Sequence, residues 1–369
     1  MRHLLLSRTT AISCVCLTCF LTASALNAQE IDDANKKKEE DGGRKQYIIY
    51  TAEKRTPANF LLPVNFYFNS AFDSAQVPTA FKQAGYFKRY GRIADILVNL
   101  PRSIQEGGGL KKLFADEFGS IRAIPNYTLH VVGGGYDFRM IAEWYQYNNV
   151  PAPYLFSLLT SYAAHFSNEA LENSNKNLTP HDPIADLLFF DWIGKLLFLN
   201  DHVARFFNDT LQFRNWMGQP MFDVRKTRVY NASCNYVLRP LIYKDMVRFF
   251  FLMGYHYLGG FSFKVNETDF VTLSAGVAVV KGFDPNHDTL KDSIKKFRPS
   301  GGIFYDRNGN LLASLILNGT ENYKMRLNIY PDLLYNDYVK LGLFFAIDDY
   351  NRVALGISFY TVFGLGVTL

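Results

Sequence analysis

Four ionisable residues in the middle of the chain could carry acid–base or metal chemistry. His165 and Glu169 are four residues apart in a segment with helical periodicity, so their side chains project from one helix face. His130 and Glu143 precede them and could complete the set from a second helix, as a base with its orienting carboxylate or as a metal half-site. No HExxH-type signature accompanies them, which favours a structural set of hydrogen-bonded groups. We therefore predict no metal and no cofactor, and keep the four as a catalytic hypothesis.

Two helices are predicted to position these residues. The first spans residues 154–172 and carries an apolar stripe at three-and-four spacing. The second begins at Asp182, a good capping residue, with Pro183 at the first helical position. Its continuation to Leu199 is apolar nearly all round, which predicts that it is buried.

Two charges interrupt that second helix. Asp191 and Lys195 are four residues apart, so they can pair on one face. We expect this pair to mark the side of the helix that stays polar, while the apolar sides pack against the rest of the protein.

The last third of the chain, from about Lys226 to Leu369, alternates apolar with polar or small residues between turn signals. Side chains alternate across a strand, so one face is predicted to meet lipid and the other a polar interior. The clearest segments place these residues outward: Tyr323, Met325, Leu327 and Ile329 in one, and Val353, Leu355, Ile357 and Phe359 in the other.

Eight strand candidates follow from this alternation and from hairpin signals such as Asn308-Gly309. They span residues 227–238, 246–258, 269–281, 300–306, 310–318, 322–330, 338–347 and 352–363. Together with the preceding helices they predict an α+β membrane protein. Its antiparallel up-and-down β-barrel would have about eight strands, with ten or twelve as the alternative.

Four basic residues are predicted to line the interior of this barrel: Arg248, Lys324, Arg326 and Lys340. They could form a basic lumen that selects anions. The alternative is ion pairing with acidic residues of neighbouring strands or helices. Pairing is favoured because the interior of an eight-stranded barrel is just filled by side chains.

Composition divides the chain into five parts. Residues 1–28 have the basic start and short apolar stretch of a signal peptide, and residues 29–46 form a charged linker. Mixed short helices and loops are predicted for residues 47–124, a helical segment for residues 125–225 and the barrel for residues 226–369. The 23 Tyr and 32 Phe residues suit the aromatic girdles of a barrel. A formal net charge of only +5 does not indicate nucleic-acid binding.

Three of these features together are typical of one class of protein: the signal peptide, the helix start Asp182-Pro183-Ile184-Ala185-Asp186-Leu187-Leu188, and the alternating strands that follow. In them the chain resembles uncharacterised outer-membrane β-barrel proteins of Gram-negative bacteria, in which a helical segment precedes a carboxy-terminal barrel. The resemblance covers about half of the chain. It implies export through the periplasm to the outer membrane, with outer-membrane lipids and the barrel-assembly machinery as partners.

The leading functional prediction is a non-enzymatic outer-membrane protein with a structural, plug-type or small-solute role in the cell envelope. The alternative is a barrel-associated envelope enzyme that acts on lipid and uses the His/Glu helix-face site. The positions of four residues distinguish the two functions. An enzyme requires His130, Glu143, His165 and Glu169 to meet around an open pocket, whereas scattered positions would exclude this site.

Overall fold

The structure is a computed structural model that describes residues 47–120, 123–174, 179–282, 295–334, 340–359 and 363–369. The predicted signal peptide and charged linker, residues 1–46, lie outside the described residues. A helical half is followed by a sheet half, so the predicted α+β class is confirmed in this coarse form.

Helices occupy most of the described chain up to residue 210. The α-helices are α1 (Leu62–Ala71), α2 (Tyr86–Val98), α3 (Leu100–Glu106), α4 (Leu110–Gly119), α5 (Ala123–Pro125), α6 (Gly135–Tyr147), α7 (Pro153–Glu172), α8 (His181–Ala185), α9 (Asp191–Phe198) and α10 (Asp201–Arg205). Three segments are wound as π-helix: Asn126–Gly134, Asp186–Phe190 and Phe206–Thr210. Within the described ranges, none of the helices has the length and apolar character needed to cross a membrane.

The sheet half contains fourteen strands among the described residues. They are β1 (Arg214–Met217), β2 (Met221–Asp223), β3 (Arg228–Tyr230), β4 (Cys234–Leu238), β5 (Leu241–Tyr243), β6 (Val247–Met253), β7 (His256–Lys264), β8 (Asp269–Val279), β9 (Phe297–Arg307), β10 (Asn310–Leu317), β11 (Tyr323–Ile329), β12 (Leu341–Asp348), β13 (Val353–Phe359) and β14 (Phe363–Thr368).

These strands form one curled, mixed sheet in the order β1-β4-β6-β7-β8-β9-β10-β11-β12-β13-β14-β2-β3, with β5 paired to β6. Neighbours from β6 to β14 are antiparallel, whereas β14 and β2 are parallel. In the chain only residues 218–220 separate β1, at one end of this order, from β2 near the other end. Four peptide steps reach at most about 14 Å, so the sheet must curl back on itself.

The sheet therefore has more strands than the eight to twelve predicted, and it is not purely antiparallel. Strands β2, β3 and β5 have three residues each, too few for alternation to reveal them. The predicted strand 246–258 merges β6 with the start of β7, because the two-residue turn Gly254-Tyr255 contains one glycine in an otherwise apolar and aromatic run. The predicted segment 352–363 covers β13 and only the first residue of β14.

The two faces of the sheet differ in polarity. The outer face carries exposed apolar residues: Phe249, Phe261, Phe263, Leu273, Ile303, Leu317, Leu355, Ile357, Phe359 and Leu365. The inner face carries buried polar residues: Ser262, Thr272, Asp306, Ser314, Arg326, Asn328 and Ser358. Buried aromatic residues such as Trp216, Phe250 and Phe304 fill much of the remaining interior. The inner face therefore mixes polar with apolar side chains, whereas the outer face is apolar, unlike the solvated polar face of a half-buried sheet in a soluble protein.

Strand β11 follows the predicted alternation except at its start. Met325, Leu327 and Ile329 are half-buried on the outer side, and Arg326 is buried inside, as predicted. Tyr323 is nevertheless buried and Lys324 exposed, so these two residues were assigned to the wrong faces. A β-bulge between Tyr323 and Met325 shifts the register by one residue, and a one-residue shift exchanges the faces.

The helix after Asp182 is inverted relative to the prediction. Asp191 and Lys195 are both buried, at 1% and 2% exposure, and do not form a polar outer side. The exposed side is instead apolar and includes Trp192, Ile193 and Leu196. Periodicity could not reveal this inversion because the helix is apolar nearly all round, and the partners of the charges come from distant segments.

The helices pack on one end of the outer face and do not fill the inner face. Asp137 of α6 accepts hydrogen bonds from Tyr236 Oη at 2.7 Å and from Asn215 Nδ2 at 2.6 Å. Register places Tyr236 on the same side of β4 as Met253 of β6, and this is the outer side. A second apolar core joins Val77 and Leu187 of the helical half to Val279 of β8.

Candidate functional site

A cavity of about 370 Å³ lies where the helices meet the sheet. The sheet contributes Tyr255, Tyr257, Val277, Val279 and Phe297, and the helical half contributes Val77, Phe81, Leu129, His130, His165 and Glu172. Exposed Ile124 and Lys281 also line it, so the cavity opens to the surface. The cavity thus combines apolar walls with a few ionisable groups, which is the usual composition of a small-molecule site.

Asp191 organises the ionisable groups of this cavity. Its carboxylate lies 2.6 Å from His165 Nδ1, 3.1 Å from His130 Nδ1 and 3.0 Å from Lys195 Nζ. The Asp191 side chain has no exposed surface, whereas the His130 side chain is 17% exposed and reaches the cavity. One buried acceptor therefore holds two imidazole rings and an ammonium group from three helical segments.

Two π-helical turns help to bring these groups together. Hydrogen bonds of a π-helix join residues five apart, so such residues lie roughly on one side of it. Asp186 and Asp191 are five apart, and both approach His130: Asp186 Oδ2 is 3.5 Å from Nε2 and Asp191 Oδ1 is 3.1 Å from Nδ1. In a regular α-helix the two carboxylates would be roughly 140° apart around the axis.

Close contact between two helices fixes the rest of the geometry. A Cβ atom added to Gly194 of α9 would lie 2.4 Å from the carbonyl oxygen of Val131. One added to Gly135 would lie 2.4 Å from the carbonyl oxygen of Gly194. Only glycine lets the two backbones approach this closely. Asp191 lies one turn before Gly194, and His130 lies one turn before Gly135. The run Gly133-Gly134-Gly135 thus serves close packing, because a Cβ atom on Gly133 would also overlap the Tyr236 ring.

The two imidazole rings differ in their protonation. Burial disfavours the charged form of His130, but the carboxylates of Asp186 and Asp191 outweigh it and raise the pKa of His130 to about 9. Burial lowers the pKa of His165, and its contact with Asp191 only partly offsets this. Burial alone would raise the pKa of Asp191, yet His165 and Lys195 hold it well below its usual value.

Near pH 7 the cluster therefore contains an ionised carboxylate, a charged imidazole and a neutral imidazole. Because the carboxylate only accepts, neutral His165 donates from Nδ1 to Asp191 and keeps a lone pair on Nε2. His165 is thus suited to accept a proton and His130 to donate one, with Asp191 orienting both rings.

Two groups of side chains have metal-ligand composition in the described part of the chain. Atoms of His130, His165 and Asp191 lie within 4.8 Å of one another, but the Lys195 ammonium beside Asp191 opposes a second positive charge. Glu169, Glu172 and Asp182 form the other group. In that group Glu172 already accepts hydrogen bonds from neighbouring Ser and Asn side chains.

The four catalytic residues of the sequence hypothesis separate into three places. His130 and His165 meet at Asp191, with ring centroids 5.3 Å apart. Glu169 is buried but is grouped with Glu172 and Asp182, while His165 pairs with Asp191 and not with Glu169.

Glu143 belongs to a different network, so it does not complete the histidine cluster. Its carboxylate accepts from the Arg139 side chain at 2.5 Å and from the backbone N–H groups of Ile49 and Tyr50 at 2.6 and 2.8 Å. These contacts tie the first described residues of the chain to α6, which is a structural role.

Of the predicted lumen residues, the inner face of the sheet buries only Arg326. Arg326 lies 3.9 Å from Glu321, and Arg248, which is partly buried, bonds to Asp245 at 2.9 Å. Lys324 is exposed and bonds to Asn351, and half-buried Lys340 directly precedes β12. The four residues do not form one basic lining, and the acidic neighbours of the two arginines lie in turns and not in neighbouring strands or helices.

Sequence reasoning missed the central residues Asp191, Asp186 and Lys195. The burial of Asp191 could have been recognised. A single Asp with a Lys four residues later in an otherwise apolar helix indicates a buried ion pair as readily as a solvent-facing side. The sequence hypothesis grouped His130 with His165 by residue type, but no local pattern places them in contact, because they are 35 residues apart in the chain.

No known protein family, curated protein or solved structure matches this chain. Its function is therefore inferred from the polarity of the sheet and from the geometry of the Asp191 cluster.

Proposed function

We propose that the chain is an outer-membrane β-barrel protein with a structural role in the cell envelope, and that its helices lie at one end of the barrel. The observation that carries this proposal is the apolar outer face of the sheet, which exposes large side chains while polar residues such as Arg326 and Asn328 are buried inside among apolar ones. Each large apolar side chain gains about 1.5 to 3 kcal/mol when it leaves water. The outer faces of β6 to β14 carry such side chains, exposed on most strands and half-buried on β11 and β12, and contact with lipid would remove them from water.

The curl of the sheet supports a closed wall. Residues 218–220 connect β1 to β2 across the two ends of the strand order, and Gln219 between them bonds to Ser358 Oγ of β13 at 2.7 Å. The interior is occupied by side chains such as Trp216, Phe250 and Arg239. A filled interior favours the structural role over passage of small solutes.

Membrane insertion is tested by an outer-face substitution with a matched control. Ile357→Arg places a charge in the middle of the outer face of β13, whereas Tyr350→Arg places one at an exposed position in the turn before it. A charge at the bilayer midplane costs about 2 to 4 kcal/mol in membrane barrels. Only Ile357→Arg should reduce the heat-modifiable, carbonate-resistant form in membrane fractions. Recovery of the unaltered protein as a soluble species would overturn the proposal.

A second candidate function, an envelope enzyme that acts on lipid, is favoured by the Asp191 cluster beside an apolar cavity. His165 as base and His130 as acid would serve a proton-transfer step on an ester or phosphate group. The test compares the envelope lipids of cells that express the unaltered protein or His165→Ala. Lys324→Ala, at an exposed position away from the cavity, is the control. A lipid change in the His165→Ala cells alone supports the enzyme, and identical profiles in all three exclude it.

A further inference from the structure

We propose that the cavity beside Asp191 is a binding site for one acyl chain of a membrane lipid, which reaches it sideways along the outer face of β7, β8 and β9. This inference rests on the proposed outer-membrane location. It concerns what the cavity binds and how the ligand arrives, and it does not require that the site be catalytic.

The first step is the side of the sheet that lines the cavity. Tyr257 lies on the same face of β7 as exposed Phe261 and Phe263, because side chains alternate along a strand. Val277 lies on the same face of β8 as exposed Leu273. The wall of the cavity is therefore a continuation of the outer face and not of the inner face.

The second step is continuity across the strands. Register aligns outer-face rows that begin in the cavity: Tyr257, Val277 and Pro299, then Gly259, Ala275 and Gly301, then Phe261, Leu273 and Ile303. The middle row is made of small residues, and a Cβ atom added to Gly259 would meet nothing within 4 Å. A shallow apolar path thus connects the cavity wall to the exposed rows that we place in lipid.

The third step is the size and chemistry of the cavity. About 370 Å³ is at the lower end of the roughly 300 to 1,000 Å³ typical of small-molecule sites, which suits one chain and not a whole lipid. Apolar Val77, Phe81 and Leu129 face the sheet wall, and the Asp191 cluster lies among them. Exposed Lys281 at the rim can meet a phosphate group that remains outside.

The site is tested by photolabelling the full chain in vesicles. The vesicles contain phosphatidylethanolamine and phosphatidylglycerol, with a small fraction of phosphatidylethanolamine that carries a diazirine at the end of one acyl chain. Labelled peptides are mapped by mass spectrometry. We expect label on the outer-face strands and also on Leu129, Val279 or Phe297 in the cavity.

The path is tested by Ala275→Trp, which fills its middle row. The matched control is Ala313→Trp, an outer-face position on β10 away from the cavity. Ala275→Trp should reduce cavity labelling at least fivefold and leave labelling of β11 to β13 unchanged, while Ala313→Trp should preserve both.

The outcomes distinguish the two proposals. Label on the outer face without label in the cavity would overturn the acyl-chain site while membrane insertion stands. Equal cavity labelling in Ala275→Trp would overturn the sideways path along β7, β8 and β9. Absence of label from the outer face of the unaltered protein would overturn the outer-membrane proposal, and the acyl-chain site with it.

Discussion

Two regions of this protein bury charged side chains, and they differ in whether the buried charges reach a cavity. In the sheet interior Arg239 and Asp306 pair at 2.5 Å with no exposed surface on either side chain. In the helical half Asp191 is equally buried, yet its partner His130 reaches an open cavity. The first pair is sealed and can only support the fold. The second has one side open to the cavity, and it contains two imidazole rings that can each hold or release a proton.

The sealed pair gives the largest expected effect. Arg239→Ala leaves Asp306 as a buried charge without its partner, so the free energy of unfolding in detergent should fall by about 3 to 5 kcal/mol. Urea-induced unfolding followed by tryptophan fluorescence measures it. A loss below 1 kcal/mol would mean that water reaches Asp306, and the contrast with the Asp191 cluster would disappear.

The Asp191 cluster should make the free energy of unfolding depend on pH. The pKa of His130 is raised to about 9, so His130 stabilises the folded state fully below about pH 6.5 and loses this contribution as the pH rises through 9. The difference approaches about 3 kcal/mol. His130→Gln should remove this part of the pH dependence of unfolding. An unchanged pH profile would show that His130 is not charged in the folded protein.

The glycine contact that positions the cluster should give an intermediate effect. Gly194→Ala forces a Cβ atom against the Val131 carbonyl oxygen and should destabilise the protein by about 1 to 3 kcal/mol. Gly91→Ala is the matched control, because its Cβ atom would meet nothing within 4 Å in α2. That change should stabilise the helix by about 0.5 to 1 kcal/mol. Equal effects of the two changes would contradict the close approach of α9 to Val131.

The smallest effect is expected at the bulge of β11. Lys324→Ala removes an exposed side chain and should change stability by no more than about 0.5 kcal/mol. Arg326→Ala, two residues away on the inner face, should cost several times more because Arg326 is 2% exposed beside Glu321. Thermal unfolding of the two variants in one detergent compares them directly, and a larger loss for Lys324→Ala would restore the original face assignment.

The sequence predicted the strands best where an uninterrupted run let period-two alternation develop. In β13 Val353, Leu355, Ile357 and Phe359 share the outer side, as the pattern indicated. In β11 the same reasoning misplaced Tyr323 and Lys324, because a bulge is set by pairing with β12 and leaves no mark on hydropathy. Local pattern therefore reports the face of a residue only while the register is unbroken.

For the site, the sequence identified the histidines and missed the carboxylate that unites them. His130 and His165 stood out by residue type, whereas Asp191 was assigned to a solvent-facing side. Asp191 could not be recognised because its role depends on the contact of Gly135 with Gly194 and on a π-turn that aligns it with Asp186.

By itself the sequence determined the order of a helical half and a sheet half, and the alternation that makes one face of each strand apolar. These follow from contacts between residues close in the chain. The tertiary structure alone decided the curl of the sheet, the docking of helices on its outer face and the meeting of His130, His165 and Asp191. Each of these depends on segments far apart in the chain, whose approach is set by packing and by the pairing of buried charges.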